Sequence, residues 1–132
     1  DIRRWNMLDI DAQVAFWREG SLEDWAVARE LVERGRLRHG LFFAHLALEK
    51  VLKALVVRRT NEPAPRIHNL VRLAELAAVE LAESQLDTLA EMNAFNLEGR
   101  YPESLIPPPT EAEARAQVER AEEIRTWLMS LL

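Results

Sequence analysis

The sequence predicts an all-α, up-and-down bundle of four to five helices, and three observations predict it. Apolar residues recur at helical spacing along most of the chain, and no stretch alternates in the manner of a strand. Glycine or proline clusters punctuate the pattern at short intervals, as helix–helix connections in bundles do. A length of 132 residues with 48% apolar and 30% charged side chains suits one domain over 1–132, built on a single core.

The first helix is expected over about residues 10 to 34, where Val14, Trp17, Trp25, Ala28 and Val32 form one apolar stripe. Gly20 and Ser21 interrupt that stripe and predict a kink. Gly35 and Gly40 bracket the connection "GRLRHG", and a second helix follows over roughly 38 to 59. It is apolar nearly all round, which makes it the central helix. The prolines of "NEPAPR" end it.

A third helix is expected from about His68 to Leu81, with Leu70, Leu73, Ala74, Ala77 and Leu81 on its inner face. Ser84 and Asp87 suggest a capping box for a fourth, over about 85 to 97. After the loop "GRYPESLIPPP", Thr110 and Glu113 form a second capping box. Val118, Ala121, Ile124, Leu128 and Leu131 then stripe a fifth helix to the C-terminus.

Composition narrows the chemistry. The absence of cysteine removes disulfides, thiolate nucleophiles and cysteine-based zinc sites, and fits a reducing, cytoplasmic compartment. No apolar run approaches the roughly 20 residues of a membrane span, and the opening "DIRRWNMLDI" lacks the apolar core of a signal peptide. Net charge is −5, yet residues 34–72 carry nine basic side chains against Glu49 and Glu62. That basic middle fits a phosphate-bearing ligand or an acidic partner, or pairing with the acidic helices of the same chain.

The central helix carries a polar stripe through its apolar surface. At 100° per residue, His45, Glu49 and Lys53 fall within about 80° of arc, with Arg38 two turns earlier and Lys50 about 60° further round. Glu49 and Lys53 stand in the favourable i, i+4 order for an ion pair. A structural pair of that kind is one reading. The other presents two ammonium groups and an imidazole to a phosphate or a partner's acid. Fifteen of the 17 basic residues are arginine, so the only lysines, Lys50 and Lys53, mark positions where a compact ammonium is wanted. His39 and His45 are six residues apart and diverge on a helix, so no metal site is expected. No phosphate loop or Ser-His-Asp set is legible, and no cofactor is expected.

Three stretches in order, "FFAHLALEKVLKALVV" (42–57), "PRIHNLVRLAE" (65–75) and "FNLEGRYPE" (95–103), resemble the HEPN domain family of small prokaryotic helical proteins. The likeness spans about residues 14 to 128. It rests on Glu49-Lys50 followed by Lys53-Ala54, on His68-Asn69-Leu70, and on Arg100-Tyr101-Pro102. The resemblance implies a bundle of four or five helices, a homodimer, and frequent pairing with a minimal nucleotidyltransferase in two-component, toxin–antitoxin-like modules. It also implies nucleotide binding or ribonuclease activity on RNA.

Ribonuclease members use an arginine followed four to six residues later by histidine near the end of the bundle. Here no histidine follows Arg100. Arg34 with His39 and Arg38 with His45 meet the bare spacing, but at the wrong end of the bundle. The expectation is therefore a HEPN subunit that binds a nucleotide, RNA or a nucleotidyltransferase without an intact ribonuclease motif. Its binding candidates are Lys50, Lys53, His68, Asn96, Arg100 and Tyr101, with Glu49 and Lys53 as a structural pair. Two alternatives stay open. One is a metal-independent ribonuclease using Arg100 with a histidine from elsewhere, such as His68 or His45. The other is a purely structural dimerisation module. Arg100 itself reads either as a residue bonding carbonyls at a helix end or as a phosphate contact.

Overall fold

Five helices make up the structure, a computed structural model that describes residues 2–98 and 109–132: α1 Ile2–Glu33, α2 Leu37–Thr60, α3 Leu70–Leu76, α4 Glu83–Glu98 and α5 Glu111–Ser130. No strand occurs among the described residues. The fold is an all-α bundle in which α2 touches each of the other four helices. Leu41, Leu48, Val51, Leu52 and Leu55 of α2 are fully buried and form the middle of the core.

The first helix begins earlier than its apolar stripe suggested and runs unbroken through Gly20 and Ser21. These residues mark a close approach between helices. Ser21 is fully buried and donates its hydroxyl to the Ala47 carbonyl of α2 at 2.6 Å. A Cβ at Gly20 would sit 3.0 Å from Lys50 Cδ. Gly40 lies inside α2, where a Cβ would run into Val32 Cγ2 and the Ala28 carbonyl of α1. Small residues thus let α1 and α2 approach closely, nearly backbone to backbone at Gly40.

Gly35 makes the turn between these helices. At φ +80° it takes the left-handed conformation that glycine adopts without strain. Its N–H bonds the Val32 carbonyl at 3.0 Å and that of Arg36 bonds Leu31 at 2.8 Å, the two bonds of a Schellman stop.

The third helix is shorter than the predicted 68–81, starting at Leu70 and stopping at Leu76. Asn69 caps its start, accepting from Arg72 N–H at 3.1 Å. Its end is another Schellman turn, with Ala78 N–H on Glu75 O and Val79 N–H on Ala74 O, and with Ala78 at φ +53° in place of a glycine. Arg59 of α2 holds this turn by donating to the Ala77 and Ala78 carbonyls at 3.0 and 2.9 Å. Nothing in the local sequence announces the stop, because its fixing partner lies on another helix.

The capping box expected at Ser84 and Asp87 is not formed. Instead α4 begins at Glu83, and Gln85 accepts from the Ala82 N–H at 2.9 Å. Thr110 and Glu113 do form their reciprocal box at the start of α5. Between α1 and α5, Arg29 meets Glu122 at 3.1 Å, and the Arg125 guanidinium lies 5.0 Å over the Trp25 ring. Burial lowers the pKa of Arg125 from the ordinary arginine value, and the nearby Glu122 charge opposes that shift.

Candidate functional site: a carboxylate-held histidine on the central helix

The polar stripe of α2 faces the segment that leads into α3. Glu49 is the hub. Lys53 Nζ donates to Glu49 Oε2 at 3.1 Å, one turn along the helix, and lies 5.2 Å over the Trp17 ring of α1. His68 Nδ1 meets the other carboxylate oxygen, Oε1, at 2.9 Å. His45, fully buried, places Nε2 3.0 Å from the His68 carbonyl and Nδ1 3.9 Å from Glu49 Oε1. The side chains of Glu49 and Lys53 are each 6% exposed, whereas that of His68 is 46% exposed.

These partners fix the hydrogens. A backbone carbonyl can only accept, so His45 Nε2 is the donor to His68. An ionised carboxylate also only accepts, so His68 Nδ1 carries the proton directed at Glu49. In neutral His68 the lone pair is then on Nε2, on the ring edge turned away from the buried carboxylate. The arrangement matches a catalytic imidazole, in which a buried acid selects the tautomer and orients the ring; protonated at Nε2 as well, the same ring donates to a phosphate. Lys53 keeps the buried carboxylate compensated. An ion pair this far from water holds its geometry best when each oxygen has a donor, as here.

Of the residues singled out from the sequence, the fold gathers His45, Glu49, Lys53 and His68 into one network. Lys50 is held elsewhere, against Asp24 of α1 at 2.7 Å, with side chains 28% and 13% exposed. The two lysines are therefore engaged by different groups. Asn96 is half-buried on α4, its Oδ1 without a hydrogen-bond partner among the described residues. Arg100 and Tyr101 lie outside the described residues, as does Pro102.

Asn93 carries a role that the sequence did not announce. Its Oδ1 accepts from Leu70 N–H at 2.8 Å and its amide donates to Asn69 Oδ1 at 3.2 Å, tying α4 to the start of α3 and so steadying the His68 segment. Asn93 and Asn96, three apart on one helix face, were the available signal. Among the described residues no group of three His, Asp or Glu side chains is placed to hold a metal ion.

The sequence pattern of the HEPN domain matches residues 14–131. The chain belongs to the HEPN family. Among curated proteins none matches this HEPN chain. Two solved structures share its fold. TT1696 from Thermus thermophilus superposes with a TM-score of 0.79 at 20% identity, over 91% of this chain and 98% of that one. ST0689, an archaeal HEPN homologue, superposes with a TM-score of 0.72 at 21% identity, over 89% and 96%. At these identities the likeness is one of fold. No helix among the described residues of this HEPN domain is long and apolar enough to cross a membrane.

Proposed function

We propose that this chain is the nucleotide- or RNA-binding subunit of a two-component HEPN module, acting as a homodimer, with the His68 imidazolium, donating from Nε2, as its phosphate contact. The observation that carries the reading is the His68 imidazole, oriented by Glu49 at 2.9 Å and half-exposed. Arg100, from the motif after α4, supplies the second phosphate contact, and Tyr101 a stacking surface. Lys53 acts through Glu49 and His68, because its ammonium is committed to the buried carboxylate.

Binding of a short single-stranded RNA and of ATP to the purified chain tests this. His68→Ala and Arg100→Ala are each expected to weaken binding about tenfold or more, the loss of one charge-assisted contact, while Lys50→Met leaves it unchanged. Absence of binding, or binding indifferent to both substitutions, contradicts the reading.

One observation favours a second reading, in which the same site cleaves RNA without a metal. The Glu49–His68 pair presents an imidazole lone pair of the kind a general base uses on a ribose hydroxyl. Incubation with structured and unstructured RNA decides it. Cleavage must disappear in both His68→Gln and Arg100→Ala, and no cleavage by the unsubstituted protein ends the idea.

A further inference from the structure

The flank between α1 and α5 carries a feature that the site does not use. Along α5, Glu119, Glu123, Thr126 and Trp127 border an open hollow of about 780 Å³, with the Arg29–Glu122 ion pair on its α1 side. Neither Glu119 nor Glu123 has an ion-pair partner among the described residues, and both are exposed. A smaller hollow of about 130 Å³ continues this groove to Val32 and Glu33 at the end of α1. There the chain turns, and the turn is basic. Arg34 meets Glu30 at 3.2 Å, with side chains 71% and 62% exposed, and Arg36 is exposed with no ion pair among the described residues.

An acidic, tryptophan-bearing groove and a basic turn therefore adjoin on one flank of the same molecule. In a two-fold pair every contact occurs twice, so a surface that carries both halves of a complementary contact can close on its own copy. A surface with only one sign of charge would repel itself.

We infer that this α1–α5 flank is the interface between two copies of the chain, with Arg34 and Arg36 of each copy meeting Glu119, Glu123 and the Trp127 ring of the other. The inference rests on the homodimer of the proposed function and adds where its contact lies. Guanidinium groups suit such a groove, since they bond carboxylates and also stack on an indole face. The site around His68 uses none of these residues.

Sedimentation equilibrium of the whole chain at low and high salt tests the inference, with two charge-reversed variants, Glu119→Lys/Glu123→Lys and Arg34→Glu/Arg36→Glu. All four positions are exposed, so circular dichroism should match the unsubstituted protein. The unsubstituted chain is expected to dimerise more weakly at high salt. Each variant should raise the dimer dissociation constant about tenfold or more. An equimolar mixture of the two variants should restore dimers, because both contacts are then complementary. Dimers in which both variants match the unsubstituted chain, or a loss that mixing does not repair, overturn the interface but leave the homodimer standing. A chain that is monomeric at all concentrations overturns both.

Discussion

The two sides of α2 solve packing in opposite ways. Toward α1, small residues bring the helices together, and of the two charged pairs there Arg58 with Asp11 is exposed while Lys50 with Asp24 is partly covered. Toward α3, the gap holds a polar network in which Glu49 and Lys53 are nearly dry and His68 reaches solvent, with His45 beneath. The first side is specified by shape and the second by hydrogen-bond satisfaction. Lys50 and Lys53 are three residues apart, yet burial gives them different energetic weight.

Removing Lys53 should break this contrast most severely. Lys53→Met strands the Glu49 carboxylate in a nearly dry site and should lower unfolding free energy by about 3–5 kcal/mol. Lys50→Met, which leaves Asp24 partly covered and without its partner, should cost less, about 1–2 kcal/mol. Chemical denaturation of both variants checks the contrast, and equal losses would abolish it.

On the α1 side, the glycines should separate in the same manner. Gly40→Ala drives a methyl into Val32 and the Ala28 carbonyl and should destabilise by about 1–3 kcal/mol. Gly20→Ala meets only the flexible Lys50 chain, so helix propensity should make it neutral or stabilising by up to about 1 kcal/mol. Thermal unfolding of the pair tells whether the close approach lies where Gly40 puts it.

The smallest expected effect is at the end of α3. Ala78 holds a left-handed conformation that costs an ordinary residue about 1–2 kcal/mol, so Ala78→Gly should raise stability by about 1 kcal/mol. A measured loss would mean that the turn fixed by Arg59 is not set as described.

The helices and their stripes were legible because periodicity is a local signal. Val14, Trp25, Ala28 and Val32 were read as one face and are buried on it, and the Thr110–Glu113 box is where its spacing put it. What could not be read locally was set by another element. Gly20 and Ser21 read only as an interruption of the stripe, without Lys50 and Ala47 opposite them. The α3 stop needs Arg59, eighteen residues before Ala77.

The site divides along the same line. His45, Glu49 and Lys53 stood out as a stripe from their spacing alone, whereas His68 and Asn93 joined them only through tertiary contact. His68 had been singled out by its motif, without its partner. Asn93 carried no motif at all.

Glu49 fixes the His68 tautomer, and on that the site depends; nitrogen-15 NMR of the imidazole rings measures it directly. Recorded where His68 is neutral, the spectrum should show the proton on Nδ1 and the lone pair on Nε2, and Glu49→Leu should abolish that preference. A neutral His68 protonated on Nε2 in the unsubstituted protein would contradict the account.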